Sequence, residues 1–205
     1  MSVEHRAPRQ QRSKDRVEAI LEAALGLVVE YGAEALAMRE VARRAGVQIG
    51  SIYQYFPSKA AIIRELARRN LERVHEVLAN EVEQLFAGRR RPTPRAAVNR
   101  VVDAYFAHYR DHPDALAVWA GAQSDPELHQ LEVEDTRSTA RFMVPPLAKI
   151  LRRDDEEAIY TLALLMNEVT SAAVRLALSM EPPLREQLVA NLKAMLIATL
   201  LAQRA

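Results

Sequence analysis

The sequence contains no cysteine, and this absence excludes disulfides, thiolate metal ligands and cysteine nucleophiles. Glycine is scarce, with 6 residues in 205, and aromatic residues make up only 5% of the chain. Phosphate-binding glycine loops and the G-x-S-x-G elbow of serine hydrolases are missing, and no matched pair of acidic residues suggests acid–base catalysis. We therefore expect a protein that is not an enzyme and that holds no metal or cofactor.

Long apolar runs are also missing, because polar residues interrupt each stretch well before the ~20 residues that a membrane span needs. The first 16 residues are polar and basic and have no apolar core, which is not typical of a signal peptide. These features predict a protein of the cytoplasm with no membrane partner.

Neither sign of charge dominates, since 28 Lys and Arg stand against 27 Asp and Glu. The distribution is uneven, however. Residues 1–91 contain 16 basic and 12 acidic side chains, whereas residues 92–205 contain 12 basic and 15 acidic ones. A basic N-terminal part favours contact with a polyanion there, although solvated helical surfaces produce similar asymmetries.

The residues that are abundant are Ala, Leu, Glu and Arg, and apolar positions recur at three- and four-residue steps, so the sequence predicts an all-α fold. About nine helices are expected, near residues 14–31, 38–45, 48–53, 58–86, 94–111, 114–122, 126–151, 155–180 and 183–202. Residues up to about Ser13 are expected to form a mobile basic arm. Pro145 and Pro146 should kink or split the seventh helix.

Residues 37–56 combine the features that a helix-turn-helix requires. Ala42 is small where two helices would touch, and Gly46 lies in the turn between them. The inward positions are apolar, namely Val41, Ala45, Val47 and Ile52. An ordinary helical hairpin within a bundle has the same spacing, so spacing alone leaves that alternative open.

The wider stretch 14–74 closely resembles the DNA-binding domain of the tetracycline-repressor (TetR) family of bacterial regulators. The resemblance is carried by the runs ILEAALGLVVEYG, AMREVARRAGV and GSIYQYFPSKAAI, and its most specific part is Gly50 to Lys59. It implies a DNA-binding domain over 14–74 and a helical effector-binding and dimerisation domain over 75–205. It further implies a homodimeric repressor that binds a palindromic double-stranded DNA operator and is released by a small, largely apolar effector.

Residues Gln48 to Gln54 would form the recognition helix in the major groove. The two glutamines can hydrogen-bond to base edges, and Ile49 can contact a thymine methyl group. Gly50 would let the backbone approach DNA, and Ser51 can reach a phosphate or a base. By resemblance, two tyrosines contact phosphates, and an arginine and a lysine add charge. The predicted DNA contacts are Arg39, Gln48, Ile49, Gly50, Ser51, Tyr53, Gln54, Tyr55 and Lys59.

Several residues of this stretch have simpler explanations or depart from the family pattern. Phe56 is expected in the core, Tyr53 could be half-buried packing, and Arg43 and Arg44 could be merely solvated. At the start of the second helix, Ala37 and Met38 stand where the family usually has a capping hydroxyl. Gln48 similarly replaces a short N-cap residue.

Two C-terminal helices carry more apolar surface than one core needs, so we predict that they form half of a four-helix dimer interface. The predicted contacts are Leu162, Leu165, Val169, Ala173, Leu188, Leu192, Met195 and Leu196. Interior helices of a larger monomer core would show the same pattern.

The middle helices bring aromatic, methionine and a few polar residues together, which favours an apolar effector pocket. The predicted lining is Tyr105, Tyr109, Trp119, Gln123, Phe142, Met166, Asn167 and Thr170. Plain core packing is the alternative for each of them. A competing function is a DNA-bound adaptor whose C-terminal domain binds a protein partner and no small molecule.

The best candidate for a metal site is the pair His108 and His112, with Asp111 and Asp114 nearby. Histidines four residues apart on a helix suit zinc, but no third ligand is well placed. We therefore expect solvated or helix-end histidines and no metal.

Overall fold

The structure, a computed structural model, describes residues 7–122 and 126–204, without the side chains of residues 7–9 and 120–128. These described residues form nine α-helices and no strand, which confirms the predicted all-α fold. The helices are α1 (Ala7–Tyr31), α2 (Met38–Ala45), α3 (Ile49–Tyr55), α4 (Lys59–Phe86), α5 (Pro94–Asp111), α6 (Pro113–Ala122), α7 (Pro126–Leu151), α8 (Glu156–Leu178) and α9 (Pro182–Ala202).

The helices belong to two compact units. The N-terminal unit contains the described residues up to Asn70 together with residues 113–129, so α6 packs with α1 rather than with the C-terminal helices. Its core is aliphatic, and the side chains of Ile20, Val41, Ile52 and Ile62 are fully buried. Burial of each such side chain stabilises the unit by about 1.5–3 kcal/mol.

The turn between α2 and α3 depends on Gly46. This residue has a φ of 65°, in the left-handed region, and its N–H donates to the carbonyls of Ala42 and Arg43 at the end of α2. The N–H of Val47 then donates to the Ala42 carbonyl at 3.0 Å. The predicted turn is confirmed, and a side chain with a Cβ at position 46 would strain it.

The C-terminal unit contains residues 71–112 and 130–204. In it α8 packs against α9, and α5 contacts both. The most deeply buried side chains are Val102, Leu151, Ile159, Val174 and Leu200. Helix α4 is continuous and contributes residues 59–70 to the N-terminal unit and residues 71–86 to the C-terminal one.

Two expectations about the helices were wrong. Helix α1 begins at Ala7, so most of the predicted mobile arm is helical. Four of the seven residues from Ala7 to Ser13 are Gln or Arg, which are good helix formers, and the Gln11 amide donates to the Asp15 carboxylate one turn later at 2.7 Å. For helix α7 we expected a kink or a split, and the split is wrong, because the helix continues through Pro145 and Pro146. Buried Leu147 and Leu151 hold its last turns against the unit.

Candidate functional site

Helix α3 is anchored on one face and open on the other. Ile52 is fully buried and Phe56, which follows the helix, is 7% exposed, so Phe56 belongs to the core as predicted. On the opposite face Ile49 is 39% exposed and Tyr53 is 52% exposed, so Tyr53 is half-buried, as the alternative expected, and its other half is open to a partner. Gln48, Gly50 and Gln54 are exposed as well, and Ser51 is partly exposed. The side chains predicted to read base edges therefore lie on the open face.

Gly50 has no internal reason to be glycine. A Cβ built at this position meets nothing within 4 Å, so alanine would fit inside the free protein. Glycine in a helix costs roughly 0.5–1 kcal/mol relative to alanine. A glycine that costs stability and fills no packing need is expected where a partner approaches the backbone closely.

Tyr55 differs from Tyr53 because its phenol contacts the rest of the protein. The Ser13 hydroxyl of α1 donates to the Tyr55 hydroxyl at 3.1 Å, and the Tyr55 side chain is partly buried. The contact ties the first turns of α1 to the recognition helix. Around it, Arg12, Lys14 and Arg16 are exposed on α1.

Two cations flank α3. Lys59 begins α4, is exposed, and donates from Nζ to the Glu34 carbonyl at 3.1 Å. The residue before it, Ser58, caps the helix, since its Oγ accepts from the Ala61 N–H at 3.2 Å. Arg39 is exposed on α2, and its guanidinium has no ion-pair partner in the described part of the chain.

The other two arginines of α2 are exposed but already paired. Arg43 Nε donates to Glu40 Oε2 at 2.9 Å within the helix, and Arg44 pairs with Glu30 of α1. The hydrogen bonds from these arginines lower the pKa of both glutamates. Because their charge is matched internally, they contribute less positive potential to the surface than Arg39 does.

The helix starts match the expected departures from the family pattern. Ala37 at the start of α2 and Gln48 at the start of α3 make no side-chain capping hydrogen bond. Neither helix therefore has a capping side chain, as predicted.

The C-terminal unit contains a partly open cavity of about 80 Å³ between α4, α5, α7, α8 and α9. Most of its lining is aliphatic. Of the eight residues predicted for an effector pocket, four line it, namely Tyr105, Met166, Asn167 and Thr170. Sequence reasoning missed Thr139 and the aliphatic lining from α4 and α5, because nothing in the pattern separates lining residues from ordinary core.

The other four predicted pocket residues are not part of the lining. Tyr109 is buried beside Tyr105, with ring centroids 5.0 Å apart in an edge arrangement. Trp119 is buried in the N-terminal unit, and Phe142 is 43% exposed on α7. Gln123 lies outside the described residues. Three of the four predicted aromatic residues, Tyr109, Trp119 and Phe142, are therefore outside the lining, because an aromatic side chain indicates burial and does not indicate a cavity.

Polar contacts of the lining connect it to the helices around it. The Tyr105 and Ser171 hydroxyls are 3.1 Å apart, and burial raises the pKa of Tyr105. The Thr139 hydroxyl is 2.7 Å from Nε2 of His75 on α4, and the same nitrogen is 3.0 Å from the Asp135 carboxylate on α7. The hydrogen bond to Asp135 raises the pKa of His75. This pair joins α4 to α7 at the cavity wall.

Helices α8 and α9 leave a large apolar face uncovered within the chain. Leu165, Leu176, Leu184, Met195 and Leu201 are each about half or more exposed, at 60%, 51%, 55%, 49% and 53%. The predicted interface residues Leu162, Val169, Ala173 and Leu188 are partly exposed. These two helices are therefore not simply interior helices of a monomer core.

Two predicted interface residues were wrong. Leu192 and Leu196 are 4% and 3% exposed and pack in the core of their own chain. Helix α9 is apolar on most sides, so its periodicity does not reveal which stripe faces inward. Leu184 and Leu201 lie on the outer face instead.

Helix α8 is the most apolar of the long helices in the described part of the chain, although Asn167, Glu168 and Arg175 interrupt it. Among the described residues it is the one helix long and apolar enough to cross a membrane by length and composition, with a mean hydropathy of 1.3 in its best window. Only 17% of that window is buried within the chain. A helix whose apolar face is covered by another protein chain has the same composition.

Both histidines lie at the end of α5, as expected, but only one of them is solvated. His112 is exposed and ends the helix, whereas His108 is buried, with its ring between those of Tyr109 and His112. Within the described ranges, no group of three His, Cys, Asp or Glu residues could hold a metal ion.

Comparison with known proteins places these features in a family. Residues 20–66 match the model of bacterial regulatory proteins of the tetR family, and residues 92–204 match the tetracyclin repressor-like C-terminal domain. The transcriptional repressor KstR of Rhodococcus jostii is 44% identical over 61 residues, which is 30% of this chain and 29% of that protein. The chain thus spans less than a third of this relative. The regulator BetI of Escherichia coli is 25% identical over 174 residues, covering 84% of this chain and 89% of BetI.

Solved structures agree with the fold. A TetR-family regulator from Streptomyces coelicolor is 29% identical, with a TM-score of 0.64, and the match covers 93% of this chain and 99% of that one. A structure from Syntrophomonas wolfei reaches a TM-score of 0.71 at 11% identity and covers 92% and 96% of the two chains, which shows the fold alone. Since the helix-turn-helix and the C-terminal helices both match, the chain belongs to the TetR family of DNA-binding transcriptional regulators.

Proposed function

We propose that the protein is a repressor that binds a palindromic operator as a homodimer and leaves the DNA when a small, largely apolar effector enters its C-terminal unit. The observation that carries this proposal is the open face of α3, where Gln48, Gly50 and Gln54 are exposed above a buried Ile52. A cytoplasmic location is part of the proposal, because such a regulator must reach the chromosome.

In the DNA complex, the exposed side chains of α3 would divide into two groups. Gln48, Gln54 and Ile49 would contact base edges in the major groove, where amides and methyl groups distinguish base pairs. Ser51 and the two tyrosines would hydrogen-bond to phosphates or nearby bases. Arg39 and Lys59 would pair with phosphates, and Lys59 would exchange its bond to the Glu34 carbonyl for this contact.

The exposed face of α8 and α9 supports the dimer. Covering the exposed parts of residues such as Leu165, Leu184 and Met195 removes apolar surface from water, at about 25 cal/mol per Å². A two-fold axis through this face would make it self-complementary. Such symmetry suits a palindromic operator, whose half-sites are about 34 Å or a multiple of it apart.

The cavity supports the effector. Residues Leu78, Val82 and Leu85 of α4 line it, while the same helix begins at Lys59 beside the recognition helix. A ligand that shifts this part of α4 could therefore change the DNA-binding conformation. A coupling of about 1–3 kcal/mol between ligand and DNA would be sufficient for a switch.

The exposed face of α8 and α9 also fits the alternative function, an adaptor that binds a different protein. Sedimentation of the purified protein separates the two. Self-association through this face supports the repressor. A protein that stays monomeric both alone and in the presence of DNA supports the adaptor.

The experiment that tests the proposed DNA contacts starts with selection of binding sites from a random DNA pool. On the selected site, Lys59→Ala should weaken binding to all sequences and reduce the slope of log affinity against log salt by about 1. Gln54→Ala should instead change base preference. Arg43→Ala is the matched control, because this arginine is exposed but paired with Glu40. Equal, sequence-independent losses from Lys59→Ala and Gln54→Ala would show that the role of Gln54 is wrong.

A further inference from the structure

The geometry points to an effector of one chemical class: an uncharged aliphatic molecule with a single hydroxyl, carbonyl or amide group, held at that group by Asn167 and Thr170. This inference rests on the proposed effector function of the same cavity and narrows it to a ligand chemistry. It follows from three properties of the lining, namely its charge, its unused hydrogen-bonding groups and its shape.

The first property is the absence of charge. None of the described side chains that line the cavity is charged. Charged groups behind the wall are already paired. His75 lies 3.0 Å from the Asp135 carboxylate and contacts the lining at the Thr139 hydroxyl, and Arg175, whose charge acts on Tyr105, lies 3.6 Å from the Glu132 carboxylate. A carboxylate or ammonium ligand would lose its hydration without gaining a counter-ion, and that desolvation is costly. The lining therefore selects neutral molecules.

The second property is which polar groups remain available. The cavity has four polar side chains: Tyr105, Thr139, Asn167 and Thr170. The Tyr105 hydroxyl is engaged by Ser171, and the Thr139 hydroxyl is engaged by His75. Among the described residues, the Asn167 amide and the Thr170 hydroxyl have no hydrogen-bond partner.

These two available groups lie together on one helix. Asn167 and Thr170 are three residues apart on α8, so their side chains project from the same face. Both can donate and accept hydrogen bonds. They form one polar spot in an otherwise aliphatic lining, which fits one headgroup rather than two.

The third property is the side-chain type, volume and flexibility of the lining. The apolar lining is almost entirely Leu, Val, Ile and Ala, with Tyr105 as its one aromatic ring among the described lining residues. Flat aromatic ligands gain most from stacking on rings, and little is available here. The cavity of about 80 Å³ is smaller than the ~150 Å³ that encloses benzene, so an aliphatic chain must displace flexible side chains. Met143 and Met166 can move in this way.

Calorimetric titration of the full-length protein with n-octanol, octanoate, n-octylamine and indole tests the inference. We expect n-octanol to bind at least about tenfold more tightly than each of the other three probes. Octanoate or n-octylamine binding as tightly as n-octanol would overturn the assignment to neutral ligands. Indole binding as tightly would overturn the aliphatic class.

Variants locate the headgroup. Asn167→Leu should weaken n-octanol binding about five- to tenfold, the effect of one hydrogen bond, and Thr170→Val should weaken it about two- to fivefold. Asn80→Leu is the matched control, because Asn80 is exposed on α4 and bonds to Gln84. Unchanged n-octanol affinity in both α8 variants would overturn the assignment of the polar spot.

A cavity-filling variant keeps the test decisive if Asn167→Leu does not fold, as judged by its circular dichroism melt. Ala163→Leu adds bulk to the lining on the same helix and should reduce n-octanol binding at least tenfold. Binding that survives this change would place n-octanol elsewhere. Operator binding by the unchanged full-length protein without ligand is measured in parallel. If that protein does not bind the operator, the result contradicts the proposed DNA function and not the ligand class.

Discussion

The recognition helix and the outer face of α8 and α9 are both exposed, yet they expose different chemistry. On α3 the exposed set is mainly polar, namely Gln48, Ser51, Tyr53 and Gln54, with Ile49 as a lone aliphatic group. On α8 and α9 the exposed residues include Leu165, Leu176, Leu184, Met195 and Leu201. A polar surface keeps its water until a hydrogen-bonding partner such as DNA replaces it, whereas an aliphatic surface gains by staying covered.

The difference extends to stability. Helix α3 carries glycine at position 50, where alanine would fit, so it gives up stability on a surface that other features assign to DNA. Helices α8 and α9 are rich in Leu and Ala and contain no glycine, so they give up no helix stability in this way. This difference is what the proposal requires, with one transient contact surface for DNA and one permanent surface for a second copy of the chain, and each of the following predictions probes it.

The largest effect is expected at the permanent surface. Leu165→Asp places an unpaired charge in the proposed interface twice, once from each chain, and should raise the dimer dissociation constant at least about a hundredfold. Sedimentation equilibrium measures this change. Val29→Asp is the matched control, because Val29 is a 53% exposed aliphatic residue on α1. A dimer that tolerates Leu165→Asp would show that this face is not the interface.

The second prediction compares two isoleucines of α3. Ile52→Ala should lower the free energy of unfolding by about 2–4 kcal/mol, because its side chain is fully buried. Ile49→Ala should change stability by less than about 0.5 kcal/mol, because Ile49 is 39% exposed, but it should weaken operator binding. Urea denaturation and gel-shift titration measure the two quantities. Equal destabilisation by both changes would mean that α3 has no open face.

The third prediction concerns Gly50. Gly50→Ala should raise the free energy of unfolding by up to about 1 kcal/mol while weakening operator binding about tenfold or more, because the added methyl group meets only DNA. Denaturation and DNA titration of the same preparation test both halves. Unchanged DNA affinity would remove the close backbone approach from the proposal.

The smallest effect is expected from the pair that joins α4 to α7. The pKa of His75 is raised in the folded protein, so its pairing with Asp135 stabilises the fold below the ordinary histidine pKa and is lost as pH rises through the raised value. Asp135→Asn should therefore destabilise the protein more at about pH 5.5 than at about pH 8.5. The difference should stay below about 1 kcal/mol, because the His75 side chain is 38% exposed. Asp154→Asn, at an exposed acid, should show no such pH dependence.

The helices were largely predictable because their ends carry local chemistry. The bounds of α2 and α5 match the predicted ones, and Gly46, Ser58 and Pro94 mark ends that a single residue can specify. The face of α3 was predictable too, since the motif around Gly50 fixes which residues lie outside. The start of α1 was missed, because good helix formers extend the helix beyond the apolar stripe from which it was predicted.

The C-terminal unit was less predictable, for a physical reason. Hydrophobic periodicity tells which residues are apolar, but it does not tell which of two apolar stripes another helix of the same chain covers. Leu192 and Leu196 were therefore assigned to the interface although they are buried in the core. The cavity shows the same limit, because its aliphatic lining differs from core packing only in the space that the helices leave between them.

The most direct test of the account is to measure the stoichiometry and footprint of the protein on its selected operator, using sedimentation together with hydroxyl-radical protection. The account predicts two chains per operator and two protected patches related by two-fold symmetry, about 34 Å or a multiple of it apart along one face of the duplex. A single chain protecting a single patch, with the same affinity as the full site, would contradict it.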